Sequence, residues 1–179
     1  SQTEPKTQVI LFQGIAKGEK MDWIIQKSVE LGVSRIVPVM TRYSVVQLND
    51  ADSHKKTERW MRIAREAAKQ CKRALVPGVD NPVTFEDAII MSQSVDTGIV
   101  LYENEQKKCL KELLKCYTID GIGSIALFIG SEGGFSENEI DLCIKSGFIS
   151  VGLGKRILRA ETAAISVLSI LMYEMGELN

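Results

Sequence analysis

Three short segments of this chain combine glycines, carboxylates and apolar residues in a way that suits ligand binding. They are Leu101-Tyr-Glu-Asn104, Ile129-Gly-Ser-Glu-Gly-Gly-Phe135 and Leu153-Gly-Lys-Arg-Ile-Leu-Arg-Ala-Glu-Thr162. Each follows or closes a strand-like run. In parallel α/β sheets, ligands sit beyond the carboxyl ends of the strands. The glycines at 130, 133 and 134 let backbone approach a ligand closely. Backbone N–H and C=O groups there can read an adenine edge without side chains. Spacing alone therefore indicates a small-molecule site at the strand ends.

Other patterns carry less. Gly121-Ile-Gly-Ser-Ile-Ala126 matches G-x-G-x-x-A but precedes a strand, where a dinucleotide site needs it to open a helix. Gly152-Leu-Gly-Lys155 is followed by Arg156 and not by Ser or Thr, so a phosphate loop would lack its Mg²⁺-holding hydroxyl. Cys71, Cys109, Cys116 and Cys143 form no CxxC pair, and the only histidine, His54, stands far from them. That spacing argues against structural zinc and against a disulfide scaffold. No metal is expected. His54 reads as a solvated residue of a polar loop, and no G-x-S-x-G elbow accompanies it.

Charge is informative only locally. Between Lys55 and Arg73 stand Lys55, Lys56, Arg59, Arg62, Arg65, Lys69, Lys72 and Arg73, against Glu58 and Glu66. Two readings stay open. One is a solvated helix with pairs such as Glu58–Arg62 and Arg62–Glu66. The other is a phosphate-binding strip, which Lys17, Lys20 and Arg42 would extend.

The elements that must position these residues alternate between strand and helix. Strands are expected at Gln8–Gln13, Arg35–Met40, Gly98–Glu103, Ser124–Ile129 and Phe148–Val151. Pro38 places the second near an edge or a bulge. Helical periodicity marks Met21, Ile24, Ile25, Ser28 and Val29, with Gly32 ending that helix. A loop is expected over Thr41–Lys56, then a helix over about Thr57–Arg73 with Trp60, Ile63, Ala64, Ala67, Ala68 and Cys71 on one face. Thr84–Asp87 opens a short helix, and Glu105–Lys115 reads as another. Ser136 and Glu139 form a capping box for a helix that stops at Gly147. Glu161–Met175 is a final helix, apolar nearly all round, which implies burial on all sides and a subunit interface or a central core. The alternation predicts an α/β fold, a mostly parallel sheet with helices on both faces.

Composition agrees with one domain. The chain has 179 residues, 45% of them hydrophobic and 25% charged, with a formal net charge of -1. No global basic field announces nucleic acid. The longest apolar stretch, Ala163–Tyr173, is too short for a membrane span. With no signal peptide recognisable at Ser1–Lys6, a cytoplasmic location is expected.

Taken together, several blocks resemble one family over nearly the whole chain. They are Lys20–Val33, Arg42-Tyr-Ser-Val-Val46, Glu58-Arg-Trp60 and Glu66–Arg73 with Pro77, then Ile129–Phe135 and Leu153–Ala164. The sequence resembles the RsmE family, uridine-N3 methyltransferases of 16S ribosomal RNA in the SPOUT superfamily. The resemblance implies a C-terminal trefoil knot, an exception to unknotted connections. It also implies a homodimer, S-adenosylmethionine as cofactor, and the small ribosomal subunit or its 16S RNA as partner. Residues 1–179 would be the methyltransferase domain, without the PUA-like barrel that usually precedes it. Implied cofactor-lining positions are Leu101, Tyr102, Glu103, Ile129, Gly130, Ser131, Glu132, Gly133, Leu153, Gly154, Ile157, Leu158, Ala160 and Thr162.

Uridine N3 carries a proton at neutral pH, so it becomes a nucleophile only when a base removes that proton or nearby cations favour the anion. Arg159 is the candidate for stabilising negative charge on a uracil carbonyl, and Glu161 for the base. Gln70 and Arg73 are the next candidates. RNA contacts are expected from Lys17, Lys20, Arg42, Arg59, Arg65, Lys69, Gln70 and Arg73. The rival class is a non-catalytic ribosome-associated binder using the same basic helix. Cofactor binding discriminates the two.

Overall fold

A computed structural model of the chain describes residues 3–44, 48–116 and 122–178, apart from the side chain of Cys116. Val45 and Val46 of the Arg42–Val46 run, and Gly121 of the G-x-G-x-x-A match, lie outside the described residues.

Strands form where apolar runs are bounded by turn residues. They are β1 (Gln8–Gly14), β2 (Arg35–Met40), β3 (Gly78–Val79), β4 (Val83–Thr84), β5 (Thr97–Leu101), β6 (Ser124–Ile129) and β7 (Ile149–Val151). They make one sheet in the order β3-β2-β1-β6-β5-β7, with β4 also on β2, and every pairing is parallel. Pro38 sits on β2 between the stretches that pair with β3 and β4. Val39 O accepts from Ile15 N, so strand alternation turns the nitrogen of Pro38 away from β1. A residue without an N–H is tolerated there.

The helices are α1 (Lys20–Glu30), α2 (Asp50–Gln70), α3 (Phe85–Met91), α4 (Leu110–Cys116), α5 (Glu137–Lys145) and α6 (Ala160–Glu174). Alternate residues of each strand feed two cores. Val9, Leu11, Ile125, Leu127 and Ile129 pack under α1, α2 and α6. Phe12, Val37, Ala126 and Phe128 pack under α3 and α5, where the rings of Phe12 and Phe128 stack at 4.5 Å. The Ser136–Glu139 capping box forms at the start of α5, and Thr84 caps α3 by accepting from Asp87 N.

Three expectations need correction. The stretch expected as a loop to Lys56 is helical from Asp50, so His54 is an exposed residue of α2. Asn49 caps that helix through Asp52 N, and Asp50 and Asp52 suit the positive end of its dipole. The helix expected from Glu105 begins at Leu110. Glu105 Oε1 instead accepts from the N–H groups of Lys107 and Lys108, which shapes a turn. Finally, of the two readings of α6, the central core within one chain does not hold. Ala163, Ala164, Val167, Leu168, Leu171 and Met172 are buried, while Thr162, Ile170 and Tyr173 are exposed.

One crossing shapes the C-terminal half. After β7 the chain runs between the end of β5 and the loop that follows it. Val151 O accepts from Tyr102 N at 3.0 Å on one side. On the other, Gly152 N donates to Lys108 O at 2.9 Å and Gly152 O accepts from Leu110 N at 3.4 Å. From there the chain continues into α6, against α1.

Candidate functional site

The carboxyl ends of β5, β6 and β7 open on one cavity of about 130 Å³. Strand order sends the connection after β1 toward β2 and the one after β6 toward β7, so the sheet reverses direction between β1 and β6. At that point the backbones are very close: a Cβ on Gly14 would overlap Ser131 N, and one on Gly130 would lie 2.9 Å from the Cα of Gly134. Gly130 is thus needed for close approach. Gly134 is the residue of this turn with positive φ, at 67°.

The wall from β5 is Leu101, Tyr102 and Glu103. From the turn after β6 it is Ile129, Gly130, Ser131 and Glu132, and from the loop after β7 it is Leu153, Gly154, Ile157, Leu158 and Ala160. Gly133 and Thr162 are not part of the wall. Gly133 faces the next loop, where an added Cβ would sit 2.6 Å from the Cβ of Tyr43. Thr162 is two residues past Ala160 on α6 and so turns to solvent. Sequence reasoning missed Gly134, Phe135, Lys155, Arg156 and Ala163, which do line the cavity. Ala163 had a signal: it lies one turn after Ala160, on the same helix face.

Glu132 ties this turn to the start of α1. Its Oε1 accepts from Lys17 N at 2.9 Å and from Lys20 Nζ at 3.1 Å. Burial alone would raise its carboxyl above the ordinary value, but these bonds outweigh it and hold the group lower, as a carboxylate. Glu139 makes a second tie. Its Oε2 accepts from Ser136 N and Oγ while Oε1 accepts from Arg42 N at 2.8 Å. The loop carrying Arg42 and Tyr43 is therefore anchored beside the turn.

Arg159 and Glu161 flank the cavity without forming its wall. Arg159 is the exposed N-cap residue of α6, and its side chain makes no cap bond. Glu161 is half-buried, and its Oε2 is buried without a hydrogen-bond partner. Among the described residues no cluster of His, Cys, Asp and Glu suits a metal ion. Burial, then the charge of Glu139, pushes the thiol of Cys143 up to about 12, which leaves it inert.

The basic strip divides. Arg62, Arg65, Lys69 and Gln70 are exposed on α2, and neither the Glu58–Arg62 nor the Arg62–Glu66 ion pair forms. Arg59 is exposed and pairs with Asp22 of α1. Arg42 and Lys17 are also exposed. Arg73 is a correction. It lies past the end of α2 with a side chain only 6% exposed. Its guanidinium donates to Glu4 Oε2 at 2.6 Å and to the carbonyls of Val29 and Val33 at 3.0 and 2.8 Å. With its donors committed to the protein, Arg73 has no place in an RNA surface or at the reacting base.

Comparison with known proteins bears on this site. A family model described as RNA methyltransferase domain matches residues 3–172. The chain is 36% identical over 168 residues to the ribosomal RNA small subunit methyltransferase E of Bacillus subtilis, covering 93% of this chain and 66% of that protein. It is 35% identical to the enzyme of the same name from Mesomycoplasma hyopneumoniae, covering 93% of this chain and 70% of the relative. A crystal structure of the Neisseria gonorrhoeae ribosomal RNA small subunit methyltransferase E bound to S-adenosyl methionine superimposes with a TM-score of 0.84. It shares 33% identity over 95% of this chain and 67% of that one.

Proposed function

The chain belongs to the RsmE family of RNA methyltransferases, and from that premise we propose that it transfers a methyl group from S-adenosylmethionine to N3 of a uridine in 16S ribosomal RNA. The chain spans about two thirds, 66%, of the Bacillus subtilis relative. The observation that carries the reading is the convergence of the three loops on one cavity at the carboxyl ends of β5, β6 and β7 in a parallel sheet. The wall suits the cofactor in type. Leu101, Ile129, Leu153 and Leu158 offer apolar faces for adenine, Gly130 and Gly134 bring backbone close, and Glu103 can accept from ribose hydroxyls.

S-adenosylmethionine supplies a methyl group already activated by its positive sulfur. The protein's work is alignment, which is proximity chemistry, and management of the N3 proton. N3 lies on the pairing edge, so the uridine must be unpaired or extruded. Arg159 is exposed beside the cavity, which supports a role in favouring negative charge on a uracil carbonyl. Glu161, with a free buried oxygen, is the candidate base.

The finer structural readings follow the same premise. The passage of Val151–Leu153 between the end of β5 and the Glu105–Leu110 loop supports a threaded C-terminal knot. Ile170 and Tyr173, 38% and 62% exposed on α6, support a homodimer through that helix. Leu168 is fully buried within one chain, so a charge there would test folding and not association.

Two experiments test the reading. Gly130→Val adds branched bulk against the backbone of Gly134 and displaces the turn. We expect it to raise the S-adenosylmethionine dissociation constant at least tenfold in calorimetry. Unchanged affinity would remove Gly130 from the site, and a parent chain that binds none at millimolar cofactor would refute the enzyme reading. The second experiment separates RNA contact from chemistry. Arg65→Ala with Lys69→Ala should reduce the magnitude of the log–log salt slope for a 16S fragment by roughly 0.7 to 0.9 per lost contact, with cofactor affinity unchanged. Arg159→Ala should instead bind RNA normally and methylate it much more slowly in single turnover. A parental salt slope in the double variant would mark the strip as merely solvated.

A further inference from the structure

Gln13 is the largest polar anomaly in the core. It is the next-to-last residue of β1, on the face that carries Val9 and Leu11, and it is 0% exposed. Its side-chain Nε2 donates to Gly14 O at 3.0 Å and to Gly130 O at 3.2 Å. Its Oε1 is buried and has no partner. An apolar side chain of similar length would fill the same space without leaving an acceptor unpaired, an omission that costs roughly 1–3 kcal/mol. An amide that carries this penalty calls for a reason.

The reason lies in what its N–H groups hold. Gly14 ends β1 and Gly130 directly follows β6, and their backbones meet where a Cβ on Gly14 would overlap Ser131 N. The register of β1 on β6 ends at the pair Gln13 and Ile129, so beyond it no ladder bond joins these two strands, although Gly14 stays in register with Val39 of β2. Ser131 adds little, since its Oγ stands 3.5 Å from Thr41 Oγ1. The Gln13 amide therefore bridges the strand ends at the point where the cavity wall begins.

We infer that Gln13 is a positioning residue: its side-chain amide clamps the Gly130 carbonyl to the end of β1 and so sets the 130–134 turn in the geometry that receives the cofactor. The inference rests on the proposed S-adenosylmethionine site. Gln13 itself stays beneath the turn and acts through Gly130.

The test uses Gln13→Met, which keeps length and burial and removes both the clamp and the unpaired oxygen. Thermal unfolding should change little, because relief of the unpaired oxygen offsets the loss of a donor to the Gly14 and Gly130 carbonyls, whereas the S-adenosylmethionine dissociation constant should rise about tenfold by calorimetry. In methylation assays KM for the cofactor should rise by the same factor with kcat within twofold. A purely structural residue would show the reverse, a lowered midpoint with unchanged affinity, and that result would overturn the inference. A parent chain that binds no S-adenosylmethionine refutes the site as well; a parent that binds, beside a Met variant of equal affinity, refutes the clamp alone. Should the variant not fold, NMR of the parent decides. The Gln13 side-chain NH₂ should exchange slowly and become more protected with cofactor, and exchange at the rate of a solvated glutamine would sink the idea.

Discussion

Arg73→Ala is expected to lower the unfolding free energy by about 3 kcal/mol, near the lower end of the effect of removing one partner from a buried ion pair. The low end applies because the Glu4 side chain retains 16% exposure. The loss has two parts. Glu4 would keep its bonds from Ala74 N and Leu75 N, at 3.0 and 3.2 Å, but lose its counter-ion. The carbonyls of Val29 and Val33, near the end of α1, would lose their shared donor. Urea denaturation at neutral pH measures the change. Replacing both partners, Glu4→Leu with Arg73→Met, should recover only the part due to the orphaned charge, because the carbonyls of Val29 and Val33 still lack their donor. The pH dependence has a definite sign. Burial alone would raise the Glu4 carboxyl above its ordinary 4.5, but the Arg73 hydrogen bond and then the backbone bond from Leu75 bring it below. Its contribution is complete above that ordinary value and disappears as pH falls through the lowered one. The parent should therefore lose stability on acidification below that ordinary value more steeply than the alanine variant does. Equal slopes and an unchanged urea midpoint would show that the pair is idle.

Arg73 also marks where local reading ends. In sequence it belongs to a run of cations that includes Lys69 and Lys72, and nothing nearby distinguishes it. Its partner Glu4 lies 69 residues away, near the N-terminal end of the sequence. The elements that were legible needed only local information. β1 and β6 are apolar runs between turn residues, and α5 announces itself by the Ser136–Glu139 box. By contrast β3 and β4 have two residues each, too few for any period, and exist because β2 offers them an edge. The first turns of α2 are polar apart from Ala51, so hydrophobic spacing could not find them, although Asn49 and its acidic followers were a usable cap signal. The cavity shows the same division. Its loops were legible from their glycines and apolar residues, but the choice between Gly133 and Gly134 depends on which one faces Tyr43. That is a tertiary fact.

The late start of α4 has a tertiary cause of its own, and it leads to the second large effect. Lys108, Cys109 and Leu110 cannot all begin a helix at Glu105, because their backbone is engaged with the chain emerging from β7. Gly152 lies at the centre of that engagement, and a Cβ there would overlap the carbonyl oxygen of Glu105. The obstacle is backbone, held in place by the Glu105 side chain bonding to Lys107 N and Lys108 N, so it does not swing aside as a flexible side chain would. Gly152→Ala is expected to destabilise the fold by about 3 kcal/mol, the upper end for added core bulk. Gly152→Val should prevent the crossing altogether and yield insoluble or partly folded chain. Because Leu153 and Gly154 continue directly into the cavity wall, the alanine variant should also bind S-adenosylmethionine more weakly even where it is fully folded. Neighbouring Gly154 is the control. Its φ of 89° favours glycine, yet a Cβ there meets no atom within 4 Å, so Gly154→Asn should be tolerated far better. Urea midpoints of the two variants, measured side by side, give the comparison. A Gly152→Ala protein as stable as Gly154→Asn would mean that the loop over residue 152 yields easily, and the tight passage inferred for the C-terminal segment would fall with it.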